Sequence, residues 1–313
     1  MSQVGFIGSV HTQGVARRLL KLAGGETRVW YSDGEPPEED RDVAVDLTAL
    51  SECHLIVFNV PLPQVREVAR KLGDVISGRH VVVHTVRGVE PSTLKPVSVI
   101  LQEETPTQRI GFVSGPTRRA DLDGGRPCSA VCASLFPEVH EMVEAALVSS
   151  RFRLYRSRDL VGAEFAAAYG RIVGLMSGMA KGLKMGASLH GTLFVRGVAE
   201  MARFVVAHGG EERTAFGLSG AGNLFVDTFQ EGEVDFQMGI ALAEEEGLDR
   251  AGLEERYGAP AEELFSMMRA FGKFGASRGL DLHLLAGVQA MVAGGLTVEQ
   301  AVEALMALPV LYE

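Results

Sequence analysis

Cysteine and tryptophan are scarce in this 313-residue chain, which holds three of the first (Cys53, Cys128 and Cys132) and one of the second. Three thiols make no even disulfide framework, so a cross-linked secreted scaffold is excluded and a reducing cytoplasm is the expected compartment. Long apolar runs are missing too. No stretch approaches the roughly 20 uncharged apolar residues of a membrane span, and the first apolar segment, Gln3–Ile7, is only strand-length. Neither a membrane partner nor an export signal is expected. Basic residues are thin in the second half, where residues 159–313 carry 11 Lys and Arg against 21 Asp and Glu. Residues 1–158 balance at 19 of each, so the whole net charge of −10 lies in the later half. Such a surface repels phosphate backbones, and nucleic acid is not an expected partner.

What is present is ample apolar material, 46% of residues, enough for buried cores in a chain long enough for about two domains. The first half alternates short apolar runs with helical spacing. Val4–Ile7, Arg28–Tyr31, His54–Val60, His80–Thr85, Ile110–Ser114 and Ser129–Ala133 read as strands; Val15–Leu22, Val65–Ile76 and Pro137–Val148 read as helices. Continuous apolar strands are buried on both faces, and strand–helix alternation predicts a doubly wound parallel sheet with ligands at the carboxyl ends of its strands. Arg151–Arg158 is the last strand-like segment, its arginines expected on an exposed edge. After it the pattern is helical to the end. The fold class is therefore α/β, a Rossmann-like domain over 1–158 followed by an all-helical domain over 159–313.

Glycines 170, 174, 178, 182 and 186 recur every fourth residue. Each costs a helix about 1 kcal/mol relative to alanine, so the ridge implies close backbone packing on a buried central helix. A second glycine-bearing element, Gly8-Ser9-Val10-His11-Thr12-Gln13-Gly14, follows the first strand. The dinucleotide fingerprint needs Gly-x-Gly-x-x-Gly, and its second and third places hold Val10 and Gln13. The turn still offers free N–H groups at a helix N-terminus, which attract anions. Gly115, Thr117, Arg118 and Arg119 form a turn that presents hydroxyl, amide and guanidinium together, suited to a phosphate or carboxylate; the two arginines also read as a solvated pair offset by Asp121 and Asp123. His84, closing a buried strand, and His11, in the first turn, are candidate proton donors or structural histidines. Cys128 and Cys132 share a strand face without partners for a metal site and read as packing residues; no metal is expected.

Six segments stand out along the chain: LIVFNVPLPQVREVARKL (55–72), HTVRGVE (84–90), VSGPTRRA (113–120), VRGVAEMARFVVAHGG (195–210), GLSGAGNLF (217–225) and TVEQAVEALMALP (297–309). In order and spacing they resemble the NAD(P)-dependent glycerol-3-phosphate dehydrogenase family. The resemblance implies an oxidoreductase acting on a small phosphorylated or carboxylated ketone or alcohol, with a possible homodimer. It implies cofactor contacts at Gly8, Ser9, Val10, His11, Thr12, Asp33 and Pro61, and anion contacts at Arg87, Gly115, Thr117, Arg118, Arg119, Arg171 and Asn223. The loop after the second strand carries Asp33, Glu35, Glu38 and Glu39 before any basic residue, so NAD is expected over NADP.

The departures fall on the working positions. Aligned on Gly162-Ala163-Glu164, the family's proton-donating lysine falls on Gly170 and the asparagine after it on Arg171. The supporting aspartate falls on Asn223, a lysine before glycine on Arg87, and a phosphate-gripping Arg-Asn pair near Val234-Asp235. Glycine donates no proton, and an arginine with a pKa above about 12 is a poor acid. Losing a positioned acid costs typically about 10²–10⁴ in rate. The alternative to altered chemistry is a pseudoenzyme of the same fold that binds a ligand or a protein without turnover.

Overall fold

The structure is a computed structural model that describes residues 3–10, 14–228, 233–297, 300, 301, 303 and 304. The first half runs β1 (Val4–Gly8), α1 (Gly14–Ala23), β2 (Thr27–Tyr31), β3 (Leu55–Asn59), α2 (Val65–Gly73), β4 (Val81–His84), the short pair β5 (Val89–Glu90) and β6 (Lys95–Pro96), α3 (Val97–Glu104), β7 (Ile110–Ser114), α4 (Arg119–Asp123), β8 (Cys128–Ala133), α5 (Pro137–Leu147) and β9 (Phe152–Ser157). The second half is helical: α6 (Leu160–Gly182), α7 (Ala187–Ala207), α8 (Glu212–Ala215), α9 (Asn223–Thr228), α10 (Val234–Glu244), α11 (Arg250–Tyr257), α12 (Ala259–Arg278) and α13 (His283–Val292).

One seven-stranded sheet has the order β2-β1-β3-β4-β7-β8-β9. Strands β1, β3, β4 and β7 are buried along their full or nearly full length, as the uninterrupted apolar runs require. Leu19, Leu20, Val139 and Val143 fill one face of the sheet. Val65, Leu72, Ile100 and Leu101 fill the other. The sheet is parallel except where β8 meets β7 antiparallel. A parallel neighbour needs a crossover over the sheet face, and the segment between Ser114 and Cys128 supplies only the five-residue α4. The Thr117 hydroxyl instead donates to the Ser129 carbonyl at 2.9 Å, and the chain doubles back at the same end of the sheet. Strand β9 is the edge, with Arg153 and Arg156 exposed on it.

Helix α6 is the spine of the second half, with residues 162–180 buried throughout. Asp159 caps it, accepting from the Gly162 amide at 2.8 Å. The glycine ridge divides in two along this helix. A Cβ at Gly178 would lie 2.0 Å from the Phe236 carbonyl oxygen, and one at Gly182 would lie 2.8 Å from Ala243 Cβ, so this half lets α10 approach backbone to backbone. Gly239 of α10 returns the contact, since a Cβ there would meet the Leu175 carbonyl oxygen at 2.0 Å. At Gly174 and Gly170 the nearest groups are 3.8–3.9 Å away, ordinary contact distance. Close packing therefore explains Gly178 and Gly182; Gly170 and Gly174 have another setting, and Gly186, expected on the same helix, lies beyond α6 at the start of α7 with open space where a Cβ would stand. No helix among the described residues is long and apolar enough to cross a membrane.

Candidate functional site

The carboxyl ends of β3, β4 and β7 open on a cavity of about 240 Å³, closed from the helical side by α9 and the residue before α10. Asn59, Thr85, Arg87, Ser114, Gly115, Thr117 and Arg118 line the sheet side, and Asn223, Asp227 and Glu233 face them. A Cβ at Gly115 would meet Ala130 Cα at 2.7 Å, so the turn after β7 can lie against β8 only as glycine. That close approach sends Thr117 and Arg118 to the cavity wall.

Charge in this cleft is arranged in pairs. Arg87 forms an ion pair with Asp227, which is 9% exposed. Burial disfavours the charged guanidinium, but the Asp227 carboxylate outweighs it and raises the Arg87 pKa. Burial pushes the Asp227 carboxyl up against the pull of Arg87. Glu233 is raised as well, by burial and by the neighbouring Asp227 charge. Behind this layer Arg171 of α6 grips Asp235 with two hydrogen bonds, 2.9 and 3.1 Å, and lies 3.5 Å from Glu263. Asn223 donates to the Ser114 hydroxyl at 3.3 Å. Arg87 leaves its Nε enclosed and without a hydrogen-bond partner among the described residues; Arg118 leaves both Nε and Nη1 so and has no ion pair among them.

The residues singled out from sequence thus separate. Arg87, Gly115, Thr117, Arg118 and Asn223 share the cavity wall. Arg171 is committed to Asp235 and Glu263 one layer behind it. Arg119 is exposed on the outer surface, 3.6 Å from Asp123. His84 does not reach the cavity: it is fully buried, stacked on Phe112 with ring centroids 4.8 Å apart, and its Nε2 is 3.1 Å from Glu164 of α6. Its neighbours Thr85 and Arg87 turn the other way, into the cleft. His11 and Thr12 lie outside the described residues, as does most of the TVEQAVEALMALP segment. Asp227 and Glu233 were not legible as site residues among the many acidic positions of this half. One signal existed for Asp227: it stands four residues after Asn223, on the same helix face.

At the other end of the sheet's carboxyl edge, Asp33 follows β2 and faces the first turn. Its carboxylate accepts from the Ser9 hydroxyl at 2.9 Å, the Val10 amide at 3.0 Å and the Gln64 side chain at 3.0 Å. The Val10 side chain lies against Gly34 and the sheet core rather than standing free. Pro61 precedes the short turn that carries Gln64. Of the acidic loop, Asp40 turns inward, where Arg17, Lys21 and the Tyr31 hydroxyl surround it. Burial favours its neutral form, yet those hydrogen bonds win and hold the carboxyl at about 2. Glu35, Glu38 and Glu39 stay exposed.

Comparison with known proteins decides the family. The N-terminal model of NAD-dependent glycerol-3-phosphate dehydrogenase matches residues 39–139 and the C-terminal model matches 159–303. Glycerol-3-phosphate dehydrogenase [NAD(P)+] of Sinorhizobium fredii is 32% identical over 268 residues, 86% of this chain and 79% of the relative. The chain belongs to the glycerol-3-phosphate dehydrogenase family. A second relative of that name, from Pseudomonas aeruginosa, is 30% identical over 307 residues, 92% of this chain and 89% of its own length. The fold matches the crystal structure of glycerol-3-phosphate dehydrogenase from Coxiella burnetii, with a TM-score of 0.86 at 21% identity, covering 98% of this chain and 99% of that one. Within this glycerol-3-phosphate dehydrogenase fold, Arg87 and Asn223 share the cleft wall, and Gly170 is buried on α6 beside Arg87. A Cβ at position 170 would have Met201 Cε at 3.8 Å and Arg87 Nη2 at 3.9 Å as its nearest neighbours.

Proposed function

We propose that this family member keeps the cleft as a binding site for a nicotinamide dinucleotide and a small polar ligand, without ordinary turnover of glycerol 3-phosphate. The observation that carries this reading is the pair of facts at position 170: no proton-donating side chain stands there, and the nearest cation, Arg87, is held by Asp227. An arginine paired with a carboxylate holds its proton, and His84 is sealed away from the cavity. Without an acid at the ketone oxygen, reduction is slower by about 10²–10⁴. Losing the electrostatic support of an aspartate-held lysine removes about 10²–10³ more.

The residues present fit the ribose end of a dinucleotide. Asp33 stands just after β2, where an acidic side chain accepts from ribose hydroxyls; its carboxylate now accepts from Ser9, Val10 and Gln64, and a ribose would replace one of these. The Val10 side chain is folded against Gly34. Gly8, Ser9, Val10 and Asp33 would hold the cofactor, with Pro61 beside them. When bound, it gives or takes a hydride. Exposed Glu35, Glu38 and Glu39 repel a 2′-phosphate, which favours NAD over NADP. This chain's residues orient the second ligand: Arg118 and Thr117 from the sheet side, Asn223 from the helical side.

A second reading is favoured by Glu233, a cavity-lining carboxyl whose pKa burial raises. In it the chain is an oxidoreductase on another small phosphorylated or carboxylated ketone or alcohol, with Glu233 as its acid. Thermal shift against NAD⁺, NADH, NADP⁺ and NADPH, with a dihydroxyacetone phosphate assay alongside, tests both. A ligand at 100 times Kd adds about 2.7 kcal/mol. The first reading expects a shift with NAD⁺ or NADH, little with the phosphorylated forms, and no turnover. Reduction near 1 s⁻¹, the low end of ordinary enzymes at about 1–10³ s⁻¹, overturns it.

A further inference from the structure

We infer that the cleft ligand is a small zwitterion, its anionic group held by Arg118 and its ammonium by Glu233. The inference rests on the cavity being the ligand site proposed above, and it follows from which charges are already spent. Among the described residues four charged side chains line the cavity, Arg87 and Arg118 against Asp227 and Glu233. Arg87 and Asp227 neutralise each other in a partly buried ion pair. Arg171, Asp235 and Glu263 satisfy one another behind the wall. One cation and one anion remain. Arg118 has two enclosed donors, Nε and Nη1, with no partner among the described residues. Glu233 lines the same cavity and has no ion-pair partner among the described residues; Asp227 and Asp235 repel it, and Arg87 and Arg118 attract it only from beyond ion-pair distance.

Enclosed donors without acceptors, and a half-buried carboxylate without an ion-pair partner, are both costly. A ligand that supplies one acceptor group and one ammonium relieves both at once. A doubly charged phosphate lacking an amine relieves only Arg118 and adds its own repulsion to Glu233 and Asp227. The cavity volume of about 240 Å³ accommodates a small molecule carrying both groups. Thr85, Thr117 and Asn223 supply neutral hydrogen-bonding groups around them.

Calorimetry on the full chain at pH 7.5 tests the inference with two matched pairs of probes. The first is O-phosphoethanolamine against glycerol 3-phosphate; the second is β-alanine against propionate. The first pair isolates the ammonium on a phosphate, the second on a carboxylate, so the stronger arm names the anionic group. Expected is a preference of about tenfold or more for the amine-bearing member of at least one pair. Glu233→Gln should abolish that preference, and Arg118→Ala should weaken both members alike. The inference is overturned if glycerol 3-phosphate and propionate bind as tightly as their amine counterparts, or if Glu233→Gln leaves the preference intact. A dinucleotide shift retained without any amine preference overturns this inference alone. No binding by any probe or dinucleotide overturns it together with the proposed function.

Discussion

Adding one methyl group at Gly178, and separately at Gly170, tests whether the two ends of the glycine ridge serve different ends. At Gly178 the new Cβ would stand 2.0 Å from the Phe236 carbonyl oxygen. Real Cβ atoms essentially never come within 3.0 Å of a neighbour, so α10 must retreat by at least about 1 Å. Its backbone cannot fold aside as a flexible side chain could. Overpacking of this kind costs about 1–3 kcal/mol or more, and a backbone conflict belongs at the upper end. The better helix propensity of alanine returns about 1 kcal/mol, leaving Gly178→Ala destabilised by about 2 kcal/mol. At Gly170 the same methyl meets only Met201 and Arg87 at ordinary contact distance, so Gly170→Ala should gain up to about 1 kcal/mol. With roughly 2–4 °C per kcal/mol for a domain of this size, the two melting temperatures should lie about 6–12 °C apart, on opposite sides of the parent. Calorimetric melts decide it. Variants that shift in the same direction, or by less than about 2 °C from one another, refute the division of the ridge.

Other expectations are as direct. Asp40 is held at about 2 against an ordinary 3.8, and one pKa unit is worth about 1.4 kcal/mol, so its ionised form contributes about 2–3 kcal/mol. That stability is present above pH 4 and disappears as pH falls through 2; urea midpoints across this window should drop in the parent, and Asp40→Asn should lack that segment of the decline. Arg171→Met leaves the largely enclosed Asp235 and Glu263 without their cation and should cost about 3 kcal/mol, the lower end for a buried pair; a loss below about 1 kcal/mol in urea unfolding would show that the triad is solvated. Gly170→Lys with Asn223→Asp restores the family's residue types but places an ammonium beside Arg87, whose Nη2 is 3.9 Å from the new Cβ. That ammonium would compete with the Arg87 guanidinium for the same space, and like charges so confined repel, so this double variant should still fail to reduce dihydroxyacetone phosphate, and turnover near 1 s⁻¹ in a steady-state assay would contradict the argument.

Most strands and the spine helix were legible because their signals are local. Leu55–Asn59 and Ile110–Ser114 announce themselves as unbroken apolar runs, and α6 by its glycine repeat. The reversal at β8 was not legible, because it depends on a hydroxyl of Thr117 finding a carbonyl of Ser129, and nothing in strand propensity encodes direction. His84 shows the limit for the site. Its place at the carboxyl end of a strand was read correctly, but adjacent strand residues point to opposite faces. The cleft received Thr85 and Arg87, and the core received His84. The sequence reading treated Arg87, Arg118, Arg119 and Arg171 as one anion site. Only tertiary contacts reveal that Arg87 and Arg171 have carboxylate partners, drawn from segments 140 and 64 residues away.

Helix α6 has a mechanical consequence. At about 1.5 Å per residue its 23 residues run about 34 Å without a break. Its first turns lie against the sheet through Leu160, Ala163 and Ala167, where Glu164 accepts from the Ser98 amide at 2.9 Å. Its last turns are locked into α10. Leu62 and Glu263 join the halves again on the other side of the cleft at 3.1 Å. A jaw needs a joint, and a rod fixed at both ends supplies none. Any ligand of the cleft would therefore enter and leave by the loops at the mouth, and heat should melt the two halves in a single step.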